Sequence, residues 1–431
     1  MFPKKKALSC LILVALSLGL VSNIQISAKR SDPAPFQYSS LQEAINNAPS
    51  GATINVTSGF YRESIVINKT LRILGENKSN TVIEGPTNTS IVNITANNVF
   101  LSGFTIKTGG FGVLLSKASN CTVTDNIILN NSNGIVLVNS RNNTISYNLI
   151  ENNTRDSPQL ATGSGIFLNE KSARNTLIDN MVVNSGEGIY IRGSDHNVVE
   201  QNFIFNNSRT GICLMFINST ASSDYNIIRD NVIKGGACYG IDTYGVNHNV
   251  IFNNTLENNA EGFEIENSNN NTFYQNNLVN NERGMYVMAS IYNKLNYNKF
   301  YRNNIVDNHM QIIFCISTNI WDNGFEGNYW SDYNWTDFNL YGIGTKPHIV
   351  SPSDPTNVDR FPLKSRYLEG DVNHDGIVNT ADWELLNLSW QCTRGKHGYS
   401  LYADFNQDGI VNIRDAAIIG LYWLRQERPD G

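Results

Sequence analysis

Apolar and polar residues alternate through the middle of this chain in short runs, none long enough to sustain a helical period. Each unit reads Asn-x-apolar-x-x-Asn-x-apolar, then Gly-apolar-x-apolar, as in Asn175-Thr-Leu177-Ile-Asp-Asn180-Met-Val182 followed by Gly188-Ile189-Tyr-Ile191. One asparagine column runs Asn143, Asn175, Asn197, Asn226, Asn249, Asn271, Asn293. A second lies five residues on: Asn148, Asn180, Asn202, Asn231, Asn254, Asn276, Asn298. Gly188, Gly211, Gly240, Gly262 and Gly284 follow eight or nine residues later. The period is 22 or 23 residues, lengthened around Thr154–Thr162 and Ser219–Asp224. Alternation over three to five residues means short strands, and three such strands per unit stack into a parallel β-helix. Stacked asparagines can hydrogen-bond up and down the stack, and Asn tolerates the left-handed backbone of a corner.

In each Gly-apolar-x-apolar strand the apolar residues point inward and the others outward. The outward pairs are Phe167 and Asn169, Tyr190 and Arg192, Cys213 and Met215, Asp242 and Tyr244, Glu264 and Glu266, Tyr286 and Met288. Flat aromatic rings beside hydrogen-bonding groups suit a sugar, which makes Tyr190, Arg192, Tyr244 and Tyr286 the candidate substrate contacts. Asp242 and Glu264 fall on adjacent coils, close enough to couple their titration. With Glu266 they are the candidate catalytic carboxylates. His196 and His248 lie in the turns beside this face.

This region, roughly 36–363, resembles the right-handed parallel β-helix proteins of the NosD-like, carbohydrate-binding and sugar-hydrolase superfamily. Leu41 to Ala48 resembles the amphipathic cap of such a solenoid, with Ser40 and Glu43 as a capping box. Trp321 to Tyr333 resembles a terminal segment found in exported members, within a closing region of about 320–363. The acidic glycine loop Asp337 to Gly342 that follows carries Tyr341 where a metal ligand would be wanted. The resemblance implies a polysaccharide lyase or glycoside hydrolase if the chain is catalytic; no lyase or polygalacturonase pattern occurs in it. Copper handling, implied by the NosD name, requires clustered His, Met or Cys. Cys213 and Met215 share a strand, whereas Met285 and Met288 lie three coils away.

Beyond a linker at 364–367, a twelve-residue pattern occurs twice. Asp371, Asn373, Asp375, Asn379 and Asp382 occupy positions 1, 3, 5, 9 and 12 of the first copy; Asp404, Asn406, Asp408, Asn412 and Asp415 occupy those of the second. Gly376 and Gly409 stand at position 6, and Ile377 and Ile410 supply the position-7 carbonyl. This is the oxygen spacing of an EF-hand-type calcium loop, ending in Asp where Glu is usual. Each loop runs directly into an apolar helix, Ala381 to Trp390 and Arg414 to Leu424. The duplicated loop-helix at 368–431 resembles a type I dockerin. That implies two calcium ions and a cohesin-bearing partner chosen partly by positions 10 and 11, here Thr380 and Ala381 against Ile413 and Arg414.

At the other end, Lys4-Lys5-Lys6 followed by apolar Ala7 to Val21 predicts a signal peptide over 1–28 and an exported, extracellular or surface-associated chain. No later stretch is apolar enough to span a membrane. Net charge is −6, with no basic patch for nucleic acid. Cys121, Cys213, Cys238, Cys315 and Cys392 show no framework spacing and read as free thiols. Asn55, Asn93, Asn142, Asn253 and Asn334 are among many glycosylation sequons.

The expectation is a mainly β protein: a parallel β-helix that binds or degrades polysaccharide, tethered by a calcium-folded α-helical dockerin. The alternatives are a non-catalytic glycan-binding or adhesion protein and a copper-handling one.

Overall fold

The computed structural model describes residues 24–26, 36–154, 163–218, 221–236, 238–288, 295–315, 317–351 and 354–426. Most of the predicted signal segment, and Asn293, lie outside the described residues. Three parallel sheets of 12, 11 and 12 strands form the body. Each coil gives one short strand to each sheet, as Thr176–Ile178, Met181–Val183 and Ile189–Arg192 do. Solenoid strands pair in parallel with their counterparts one coil away, in register save for shifts at Tyr286/Val287 and Leu295/Lys299, so Ile189 meets Ile212 and Ile166 on its two sides. The mainly β solenoid expected from the period is therefore the observed fold.

Alternation becomes burial in the same register. The inward residues, among them Leu177, Val182, Ile191, Val199 and Ile204, are completely buried. The core ends in stacked aromatics: Phe273 on Phe300 at 4.9 Å and Phe300 on Trp321 at 4.4 Å. Trp321 and Trp330 close that end, each 1% exposed. The Trp330 indole and the Asn328 amide donate to buried Asp359, whose carboxyl burial pushes up to about 7. At the other end helix α1, Leu41–Asn47, covers the first coil with Leu41, Ala44 and Ile45. Its Ser40 cap accepts from the Glu43 amide, but the Glu43 carboxylate returns to Ser39 instead of Ser40, so the capping box is only half formed.

The asparagine columns are internal ladders. Asn175 donates through its backbone amide (2.9 Å) and its side-chain amide (3.0 Å) to Oδ1 of Asn197, and its side chain also reaches the Ser140 carbonyl. The left-handed residue is the one before the ladder Asn: Asn142, Arg174, His196, Tyr225 and His248 all have φ between 55° and 58°. One assignment changes. Asn271 bonds to Asn298 and Asn276 to Asn303, so Asn298 belongs to the first column. That coil is longer, 27 residues between rungs, a third lengthening beyond the two read around Thr154–Thr162 and Ser219–Asp224. A third ladder, which includes Asn131 to Asn153 and Asn259 to Asn281 to Asn308, went unread because Ser185 interrupts it.

Glycine begins the outward strand because adjacent coils approach there. A Cβ on Gly188 would lie 2.4 Å from the Gly211 carbonyl oxygen and 2.7 Å from Ile204. Replacing Asn202 with Ala removes the oxygen to which Asn180 donates twice, once from its buried backbone amide. The expected cost is about 1–3 kcal/mol, read as faster amide exchange confined to the flanking coils because a solenoid propagates stability only to neighbours.

Helix α2, Thr380–Leu388, and helix α3, Ile413–Tyr422, build the C-terminal module. Both end about two residues earlier than expected. Each is capped from its own loop: Asn379 with Asp382, and Asn412 with Asp415, form complete capping boxes.

Candidate functional site

The outward face of the 11-stranded sheet brings the predicted residues together in two columns. Register runs Phe167, Tyr190, Cys213, Asp242, Glu264, Tyr286 in one, and Asn169, Arg192, Met215, Tyr244, Glu266, Met288 in the other. Asp242 and Glu264 are direct register partners, as are Tyr244 and Glu266. The face has two halves. Val136, Phe167, Tyr190 and Cys213 form an apolar cluster, with Phe167 stacked on Tyr190 at 4.9 Å. The expected exposure of Phe167 and Tyr190 is not found: they are 0% and 8% exposed. The Tyr190 hydroxyl is spent on Met215 Sδ at 3.3 Å, so neither ring offers a free surface. Tyr244 and Tyr286 are half-exposed, as are Asp242, Glu264 and Glu266.

A third column, missed from sequence, completes the polar half: Thr210, Tyr239, Glu261 and Arg283. Glu187 adjoins it by accepting from the Thr210 amide at 3.1 Å. The available signal was the residue just before each strand glycine, as in Glu187-Gly188, Tyr239-Gly240, Glu261-Gly262 and Arg283-Gly284. Glu261 is almost completely buried and ion-paired with Arg283.

Five carboxylates thus converge, and their mutual repulsion shows in their acidities. Burial, then the charges of Glu187, Glu266 and Glu261, push Asp242 up to about 7 against the bond from the Cys213 thiol. Burial, then Asp242, Glu261 and Glu266, push Glu264 to about 8 against a bond from the Tyr239 hydroxyl. Glu187 and Glu266 are raised as well, chiefly by burial. Two neighbouring carboxyl groups that cannot both ionise near neutral pH hold one proton between them, which supplies an acid and a base at one place. On the adjoining corner His196, Tyr225 and His248 stack at 5.2 and 4.9 Å.

In the C-terminal module the loop carboxylates turn inward. Asp371, Asp382, Asp404 and Asp415 are at most 2% exposed. Asp371 accepts from the Gly376 and Asp375 amides, and Asp404 from the Gly409 amide. Asp382 and Asp415 tie both ends of their loops: each takes amides from positions 2 and 9, Val372 with Asn379 and Phe405 with Asn412. Burial pushes Asp371 up to about 7 despite nearby His374, and raises Asp382 and Asp415. Asp404 Oδ1 is buried with no hydrogen-bond partner. A loop that buries carboxylates, strands a carboxylate oxygen and offers only oxygen donors fits a hard divalent cation. Asp371, Asn373, Asp375, Asp382 and the Ile377 carbonyl in one loop, and their counterparts Asp404, Asn406, Asp408, Asp415 and Ile410 in the other, would hold calcium. Asn379 and Asn412 also serve as helix caps. Thr380, Ile413 and Arg414 are exposed and Ala381 half-exposed; Arg414 pairs with Asp408 at 3.3 Å.

Among the described residues no three His, Cys, Asp or Glu side chains gather as a metal-binding group. The thiol of Cys213 is engaged by Asp242, and the sulfurs of Met215 and Met288 accept from tyrosine hydroxyls, so the copper reading acquires no free ligand set here. Cys121, Cys213, Cys238 and Cys392 are free thiols. No helix among the described residues is long and apolar enough to cross a membrane.

The fold and the paired loops define a β-solenoid joined to a calcium-loop module, and comparison places both. Residues 45–221 and 205–335 match the model of the periplasmic copper-binding protein (NosD) family, and 369–426 match the dockerin type I domain. The chain belongs to the NosD family and carries a type I dockerin domain. A "Cell surface glycoprotein" of Methanothermus fervidus is 29% identical over 366 residues, 76% of this chain and 56% of that protein. The chain thus spans little more than half the length of that relative. Among solved structures the Dettilon tailspike protein (gp208) aligns with a TM-score of 0.50 at 16% identity, over 59% of this chain and 56% of that one. That likeness concerns the fold.

Proposed function

We propose that this protein is displayed outside the cell, where the outer face of its 11-stranded sheet binds and cleaves polysaccharide while the dockerin module docks onto a cohesin-bearing partner. The observation that carries the catalytic reading is the Asp242–Glu264 pair, in register on adjacent coils, raised to about 7 and about 8, with Tyr239, Tyr244 and Tyr286 around it. One protonated carboxyl can give its proton to a departing sugar oxygen while the ionised one activates water or stabilises the developing cation. Glu266 and Glu187 keep the proton on the pair through their charge. The half-exposed rings of Tyr244 and Tyr286 flank it as sugar platforms; Arg192 lies further along the column. Five carboxylates against Arg192, Arg209 and Arg283 make the face acidic, so neutral or amino-sugar glycans fit it better than polyuronates.

Incubating the protein with a glycan panel and analysing products tests this. Release of reducing ends is expected, greatest where the pair holds a single proton, near pH 7–8. Asp242→Asn and Glu264→Gln are each expected to lower it at least 100-fold, the usual weight of a positioned acid or base. Undiminished release in both variants would remove the pair from the site. Binding without product would instead favour the non-catalytic adhesion reading, which the cell-surface relative supports.

A further inference from the structure

The two calcium loops look alike in sequence but sit in different surroundings. In the first, position 4 is His374, which is 1% exposed. Its Nδ1 donates to the Tyr341 carbonyl at 2.8 Å, and its Nε2 lies 3.4 Å from Glu326. Glu326 is itself paired with Arg302, and all three side chains are at least 96% buried. The His374 carbonyl accepts from the Ser365 hydroxyl at 2.8 Å. Gly342, at φ 67°, lies so close that a Cβ there would be 2.3 Å from the Asn373 carbonyl oxygen and 2.8 Å from His374 Cβ.

The second loop carries Gln407 at position 4, exposed to solvent. Among the described residues no hydrogen bond or ion pair joins 404–415 to the solenoid. Tyr402, two residues earlier, is the last anchor: it stacks on Tyr341 at 4.4 Å and donates to the Phe325 carbonyl.

We propose that the solenoid's closing segment is a built-in clamp on the first calcium loop, making the two sites unequal: the first is pre-organised and fills first, the second stays weaker. This rests on the calcium reading of the module. The clamp fixes backbone at the position-3 ligand Asn373 and at His374, between it and the position-5 ligand Asp375, before any ion arrives. Backbone ordered in advance removes its entropic cost from binding, so fixing one or two residues raises affinity about tenfold or more. Linkage is reciprocal: calcium in the first loop tightens the seam and holds the module in one orientation on the solenoid.

Calorimetric titration of the full chain with calcium chloride decides the matter. Two classes of site at least about tenfold apart are expected. Asp371→Asn should delete the tight class and Asp404→Asn the weak one. Gly342→Ala should weaken the tight class at least about fivefold and leave the weak one unchanged. Ser365→Ala, a milder change, should weaken the same class to a smaller extent and serves where Gly342→Ala does not fold. A single class of sites, loss of the weak class with Asp371→Asn, or equal or absent shifts in both clamp variants would overturn the clamp while leaving calcium binding intact. Absence of any calcium heat would overturn the calcium reading together with it.

Discussion

At neutral pH, stripping calcium from the full chain is expected to melt α2 and α3 while the β-helix and the His374 stretch clamped to it stay folded. Four aspartates at most 2% exposed have no cation to answer them once calcium leaves. A buried, unpaired carboxylate costs several kcal/mol or takes up a proton. The module's own core is small, built on Val372, Val378, Leu386, Val411 and Ile419, and cannot absorb four such penalties. Chelator should therefore abolish the helical circular dichroism signal. The β-sheet signal should persist. Unchanged spectra in chelator would defeat the calcium assignment.

The pH dependence of the calcium-free form follows in sign. Asp371 is raised from 3.8 to about 7, so its contribution is full below about pH 4 and is lost as pH rises through 7. Glu326 is lowered from 4.5 to about 2, so its contribution is full above 4.5 and is lost as pH falls through 2. The calcium-free module should be most stable near pH 4–5. With calcium bound, the Asp371 loss above pH 5 should disappear. A calcium-free melting temperature that rises from pH 5 to 8 would contradict this.

Replacing Glu326 with Ala is expected to release the module from the solenoid. Burial by itself would raise the Glu326 carboxyl; the Arg302 charge, then the bond and charge from His374, hold it down to about 2. Removing it leaves the Arg302 guanidinium and His374 buried without their ion-pair partner, a loss of about 3–5 kcal/mol. Proteolysis should then cut between 364 and 370, and the module should melt separately from the solenoid. Glu326→Gln, which keeps the shape and one acceptor, should fall between the two. A Glu326→Ala protein that melts as one unit at the parental temperature would refute the buried pair as the joint.

The solenoid, its period and its outward columns were legible because a parallel stack repeats one local rule: residues two apart share a face, and equivalent residues in successive coils share a register. The calcium loops were legible because their ligands are local, spaced within twelve residues. Harder to read was anything that depends on which coil meets which. Asn298 was put on the wrong ladder because one longer coil shifts the count. Alternation alone makes Tyr190 a sugar platform, yet in the fold it stacks on Phe167 and gives its hydroxyl to Met215. Glu187 and Glu261 escaped notice because they precede the strand glycine, outside the alternating pattern, and join the face only through the corner.

By itself, then, the sequence determined the elements: short strands, asparagine rungs, outward carboxylates and two oxygen-rich loops, all set by spacings within one coil or one loop. Tertiary structure decided how charge is distributed among them. Only stacking puts Asp242 against Glu264 and both near Glu187 and Glu261, where burial and repulsion make them weaker acids. Only the fold back of the module buries His374 against Glu326 and Arg302, residues 48 and 72 positions upstream of it. Hydrophobic alternation is a local property of the chain; desolvation and charge pairing belong to the packed whole, and they separate two loops whose sequences look alike.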